Sequence, residues 1–267
     1  MKVVGQSLPK IDALPIATGQ PVYTEDLAPS QALVVKVLHS PHAFARLRQV
    51  DVSLALKVPG VACVLTHQDV PQERFTLAGQ SYPEPSPYDR RILDEYVRYV
   101  GDAVAIVAAA DEKTAEKALQ LIRVDYEVLE PVLDFEAAAG HASVVHPEGN
   151  VHCNFPIGME KEKNIICAHK NEYGDVEAEL AQCPVVVEGI YYTQAQAHGM
   201  METYRAYSYL DHTGRLTIVS STQIPFHVRR QMARALEMPA SRIRVIKPRI
   251  GGGFGGKQTG AVEMFVA

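Results

Sequence analysis

Five of the six residues from Gly251 to Gly256 are glycine, within Arg249-Ile250-Gly251-Gly252-Gly253-Phe254-Gly255-Gly256-Lys257-Gln258. So dense a run means a backbone that must take positive φ or approach something closely, because a Cβ would obstruct both. Gly251, Gly253 and Gly256 satisfy G-x-G-x-x-G. A dinucleotide site also needs a helix, a second strand and an acidic residue about 20 positions on, and the sequence given runs only to Ala267. Gly251 to Lys257 also satisfies the first part of the P-loop pattern, but Gln258 stands where a magnesium-binding Ser or Thr is required. Nucleotide binding is therefore a weak reading. A plain strand-to-helix corner that binds nothing is the stronger alternative for the run taken alone.

Composition narrows the field. With 267 residues, 47% hydrophobic and 21% charged, the chain can bury a proper core. A net charge of -5 argues against the basic face that nucleic acid requires. No apolar run approaches the roughly 18 residues of a membrane span. The start, Met1 to Gln6, lacks the sustained apolar stretch of a signal peptide, so the cytoplasm is expected. Cys63, Cys153, Cys167 and Cys183 are scattered without a C-x-x-C pair. They read as reduced thiols rather than as a zinc or iron–sulfur site.

Along the chain, residues 1–30 are rich in turn formers. Ala32 to Leu38 and Val61 to Leu65 read as strands, with a short helix from Asp51 to Lys57 capped by Asp51. Residues 68–95 form a polar, proline-containing excursion. Asp102 to Ala109, Asp111 to Ile122 and Arg123 to Leu129 read as strand, helix and strand, a βαβ pattern that predicts two parallel strands. Weaker periodicity follows Pro131, which places a domain boundary near 130–150. Val185 to Tyr192 reads as a strand. Tyr204 to Leu210 and Arg215 to Val219 flank a hairpin turn at Asp211-His212-Thr213-Gly214. Pro225 opens a helix to about Leu236, and Ile243 to Ile250 returns as a strand.

The glycine run resembles the GGGFGGK signature of the xanthine dehydrogenase and aldehyde oxidase family, the molybdenum hydroxylases. More of that family's pattern stands in order along the chain. Ala17 to Asp26 looks like its opening segment, Ser40-Pro41-His42-Ala43 like its SPHA turn, and Pro59-Gly60-Val61 like its PGV element. Val97 to Ala105 is similar to its VRYVGxPVA strand, with Asp102 and Ala103 as departures, and Val124 to Glu127 fits its V-x-Y-E strand. His198 to Thr203 is similar to its H-x-x-x-E-[PT] turn, and Ser221-Thr222-Gln223 looks like its STQ strand end. The resemblance is weakest over residues 70–95 and 150–180.

What the resemblance implies is an α+β chain: an α/β hammerhead domain over residues 1–135, then the first part of a molybdenum-cofactor-binding domain over 136–267. The cofactor is molybdenum held by a pyranopterin. Water-derived oxygen is added to a purine, another heterocycle or an aldehyde, and electrons leave through iron–sulfur clusters and FAD on other subunits. By the same resemblance Gln223 sits beside the metal, its amide donating to an oxo ligand without adding charge. Gly253, Phe254 and Gly255 place backbone against the metal's ligands, with Phe254 as an apolar wall. Taken without the family, Gln223 is an ordinary polar residue before Pro225 and Phe254 an ordinary core side chain. Gln258 occupies a substrate-facing position that is glutamate in many purine-oxidising members. Glutamine keeps hydrogen bonding but loses the charge, which leans towards a heterocycle. His198 and Glu202, four apart, could be metal ligands, but here they are read as ordering a turn.

No residue matches the family's catalytic base, which lies further along the molybdenum subunit. The chain is therefore expected to need the remainder of that subunit, with iron–sulfur and flavin subunits beside it. Alone it is expected to hold no molybdenum and turn over no substrate; stoichiometric metal with xanthine oxidation by the purified chain would overturn this. The alternatives are a non-catalytic assembly module and part of an aldehyde oxidoreductase. Neither nucleic acid nor membrane is an expected partner.

Overall fold

The structure is a computed structural model and describes residues 3–20, 22–77 and 81–267. Pro21 of the opening segment, Ala78 to Gln80 of the excursion, and Met1 and Lys2 lie outside it. In chain order the elements are α1 (Ala13–Ala17), β1 (Val34–His39), β2 (Ala45–Asp51), β3 (Val61–Leu65), β4 (Tyr96–Val97), β5 (Ala103–Ala109), α2 (Glu112–Leu121), β6 (Arg123–Val128), α3 (Val176–Gln182), β7 (Ala206–Leu210), β8 (Leu216–Ser220), α4 (Pro225–Ala235), β9 (Ile243–Ile246) and α5 (Glu263–Val266).

β5 organises the first half. Its uninterrupted Ala-Val-Ala-Ile-Val-Ala-Ala run is what a strand covered on both faces requires. Ala105, Val107 and Ala109 meet Ala115 and Ala118 of α2, while Val104 faces Ala45, Leu47 and Val97 of the neighbouring sheet. The Asp111 carboxylate accepts the Thr114 N–H and so caps α2.

The strand–helix–strand pattern is present, but its strands are not paired. β5 is flanked by β1 and β3, both antiparallel, whereas β6 pairs antiparallel with β2 in a second sheet of order β4-β2-β6. Both edges of β5 are already taken, so α2 delivers the chain to another sheet. The helix predicted from Asp51 is also corrected. Asp51 ends β2 opposite Arg123, and its carboxylate accepts the Ser53 N–H, so only Ala55–Lys57 makes a helical turn.

In the second half β7 and β8 form the expected hairpin, closed by Asp211, which accepts the N–H groups of Thr213 and Arg215. α4 then carries the chain to β9, parallel to β8. Pro225 occupies the first turn, and Val228, Gln231, Met232 and Ala235 form the buried stripe. This core is shared with the first half: Phe75, Ile92, Leu93 and Ile106 join Ile218, Val228, Met232 and Ile243 in one cluster. The polar excursion is thus wrapped on α4, with Gln231 donating to the Thr76 carbonyl and Arg234 to the Arg74 carbonyl. Phe75→Ala should cost ~3–5 kcal/mol, read as a lower urea midpoint, because it empties the joint between the halves. An unchanged midpoint would mean that the halves do not depend on this joint.

The strand predicted at Val185 to Tyr192 does not form. Residues 184–200 carry no strand or bridge, and Val187, Ile190, Tyr191 and Tyr192 are exposed. β-propensity supplies side chains that suit a sheet, not the neighbouring edge a ladder needs.

Candidate functional site

The chain leaves β9, passes a bridge between Tyr23 and Arg249, and enters the glycine run. Gly252, Phe254 and Gly255 all have positive φ, at 101°, 49° and 94°. The Gly256 N–H closes on the Gly253 carbonyl at 2.8 Å, so residues 253–256 make a tight turn. Phe254 and Gly255 at its centre both need the left-handed region, which glycine enters freely and phenylalanine at a cost of order 1–3 kcal/mol. Phe254 is 74% exposed, so ordinary core packing does not explain this residue.

Gln223, just past the end of β8, meets this turn. Its backbone N–H donates to the Lys257 carbonyl at 2.7 Å. Its side-chain Oε1 accepts the N–H groups of Gly255 at 3.0 Å and Lys257 at 3.2 Å. Only the oxygen end of an amide can accept from two N–H groups, so the side-chain orientation is set by the loop and Nε2 is left as a donor. A Cβ on Gly253 would lie 2.6 Å from that Oε1 and 2.8 Å from Cγ. The glycine is there because Gln223 fills the space. Among the described residues, no acceptor meets the N–H groups of Gly252, Gly253 and Phe254. Gln258, half-buried, donates its N–H to the Gly255 carbonyl at 3.4 Å.

Residues 198–204 run along the other side of the loop. The His198 ring lies where a Gly256 Cβ would point, and Met200 lies against Gly252. Glu202 Oε2 accepts from the Gly251 N–H at 2.7 Å, Ser221 Oγ at 2.7 Å and Lys257 Nζ at 2.9 Å. Burial pushes the Glu202 carboxyl up, but these three donors outweigh it and hold it below its ordinary value. Glu202 is therefore an anchor of the loop, as a turn-ordering role requires. The partnership of Lys257 and Ser221 with it was not read from the sequence. The only signal was that all three sit inside the quoted motifs.

Two nucleotide readings fail here on geometry. Lys257 is 1% exposed and bound to Glu202 and Ser221, so its ammonium is turned inward and cannot reach a phosphate. The helix after the loop, α5, is one turn long, and the Ala261 and Val262 N–H groups before it are taken by the Glu263 carboxylate at 2.7 Å and 3.0 Å. A pyrophosphate would find those donors occupied. Among the described residues no group of three His, Cys, Asp or Glu is placed to hold a metal ion, and no helix is long and apolar enough to cross a membrane.

Comparison with known proteins covers both halves. The family model for the aldehyde oxidase and xanthine dehydrogenase a/b hammerhead domain matches residues 18–130, and the molybdopterin cofactor-binding domain model matches residues 158–267. A probable hypoxanthine oxidase of Escherichia coli K12 is 41% identical over 97% of the chain, and the chain spans 29% of that relative. The nicotinate dehydrogenase large molybdopterin subunit of Eubacterium barkeri is 33% identical over 100% of the chain, which spans 58% of it. Among solved structures, the aldehyde oxidoreductase of Desulfovibrio gigas superposes with a TM-score of 0.82 at 28% identity, over 98% of this chain and 28% of that one.

Proposed function

The chain belongs to the xanthine dehydrogenase and aldehyde oxidase family of molybdenum hydroxylases, and from that premise we propose that its Gln223 and its Gly253–Gly255 corner form one wall of the molybdenum-cofactor site. The observation that carries this reading is the fixed orientation of Gln223: with Oε1 spent on Gly255 and Lys257, Nε2 is turned away from those two N–H groups and is left to donate. The free N–H groups of Gly252, Gly253 and Phe254 lie in the same corner, and such donors suit oxygen ligands. The chain thus fits the group by donor chemistry, and the absence of a side chain at Gly253 lets Gln223 pack against the turn that fixes its amide. The bound cofactor would supply oxygen-atom transfer and accept the electrons.

This chain's own residues would orient rather than react. Gln223 would donate to an oxo ligand, the backbone of Phe254 and Gly255 would bound that ligand's space, and the Phe254 ring would exclude water. We place the join between the hammerhead domain and the cofactor-binding domain at 135/136, inside the gap between the two matched regions. The whole enzyme would include the polypeptide that makes up the rest of its relatives, with iron–sulfur and flavin subunits. It would work in the cytoplasm, where its four unpaired cysteines stay reduced. The substrate would be a nitrogen heterocycle, as the names of the hypoxanthine- and nicotinate-oxidising relatives suggest, with Gln258 against it. The similarity to an aldehyde oxidoreductase supports aldehyde as the second reading.

The test is Gln223→Ala in the assembled enzyme. Turnover of hypoxanthine should fall ~10²–10³-fold, as for loss of a donor to an oxyanion, with molybdenum content by mass spectrometry kept and the Mo(V) resonance shifted. Unchanged turnover with an unchanged resonance would remove Gln223 from the site. Faster turnover of an aldehyde than of any heterocycle would favour the second reading.

A further inference from the structure

A lysine that is 1% exposed is costly to bury, and its position here has a geometric consequence. Lys257 Nζ lies 2.9 Å from Glu202 Oε2 and 2.6 Å from Ser221 Oγ. The same carboxylate oxygen accepts the N–H of Gly251, the first glycine of the run. One atom therefore ties both ends of the loop together. The main chain of Lys257 is held as well, since its N–H donates to Gln223 Oε1 and its carbonyl accepts from the Gln223 N–H and from Thr222 Oγ1. Any turn of Lys257 about its backbone must move an N–H that orients the Gln223 amide. Glu202 Oε1 is buried and unpartnered among the described residues, so Lys257 is the one cation that balances this carboxylate.

We propose that the Lys257–Glu202 pair, bridged by Ser221, positions Gln223 and the Gly253–Gly255 turn. Lys257 is then a positioning residue for the cofactor-facing wall and touches neither cofactor nor substrate. The proposal rests on the cofactor reading only in saying what the wall faces. A buried ion pair is weak evidence for stability, because apolar residues of like volume often replace it without loss. Its use here is to fix a glycine-rich segment that has few side chains of its own to pack.

The experiment compares Lys257→Met, Glu202→Gln and the double variant Lys257→Met/Glu202→Met in the assembled enzyme. Amide hydrogen exchange and thermal unfolding are measured on each, and Mo(V) spectra on the loaded form. Lys257→Met and Glu202→Gln should each speed exchange at Gly251, Gly255 and Lys257 at least tenfold, while β8 amides keep the parent rate. The double variant carries no unpaired charge, so its Tm should return towards the parent value while the loop amides stay fast and the Mo(V) resonance stays shifted. Loop amides that recover together with the Tm would reduce the pair to ordinary structural support and sink the proposal. Parent-like exchange in the single variants would sink it too. Fast loop amides with a parent-like resonance would leave the clamp standing and tell instead against the cofactor reading.

Discussion

Gly253→Ala is expected to lower turnover of the assembled enzyme by ~10²–10³-fold, as much as deleting Gln223 itself. The added methyl would sit 2.6–2.8 Å from Oε1, Cδ and Cγ of Gln223. Such a contact is tolerable only if the side chain can swing aside. Gln223 cannot do so without giving up both N–H donors from Gly255 and Lys257. Once released, the amide is free to rotate, and its Nε2 donor is no longer fixed. The double variant Gln223→Ala/Gly253→Ala is the control. The atoms the methyl would meet, Oε1, Cδ and Cγ of Gln223, are gone there, so adding Gly253→Ala to Gln223→Ala should cost little further turnover. Additive losses would show that the methyl disturbs the corner otherwise than by displacing Gln223.

Glu148→Ala is expected to destabilise the chain by ~3–5 kcal/mol, the usual result of stranding a buried partner. Arg74 is 2% exposed and meets Glu148 at 2.9 Å, and Arg98 meets the same oxygen at 2.7 Å. Arg74 keeps Asp94 at 3.5 Å, Asn150 and the Asp89 carbonyl, which places the expected value at the lower end. Burial alone pushes the Glu148 carboxyl up, but the His146 hydrogen bond and the Arg98 charge more than reverse this and bring it down to about 2 from 4.5. Because the folded value lies below the unfolded one, this contribution is complete above about pH 4.5 and drains away as pH falls towards 2. Wild-type stability should therefore fall through that window, and Glu148→Gln should flatten the fall. Urea midpoints from pH 6 to pH 2.5 would check both claims. A parallel decline in the two proteins would place the acid sensitivity elsewhere.

The elements legible in the sequence were those with local causes. β5 announced itself by an apolar run, α2 by the spacing of Ala115, Ala118, Leu119 and Ile122 with acids early in the helix, and the β7–β8 hairpin by Asp211 and Gly214. The glycine corner was equally plain, because only a backbone near φ 100° or a crowded Cβ position makes so many glycines useful. Gln223 was singled out only through family resemblance. Alone, a glutamine before a proline says nothing about a loop 30 residues on.

What the sequence by itself determined was where the chain turns, which stretches run extended or helical, and which corner must go without side chains. Only the tertiary structure decided that β6 leaves β5 for β2, that residues 185–192 stay unpaired, and that Lys257 turns inward to a glutamate 55 residues away. The physical reason is one of range. Periodicity, capping and turn chemistry act within a few residues. Strand partners and buried ion pairs depend on which edges and donors other segments have already claimed.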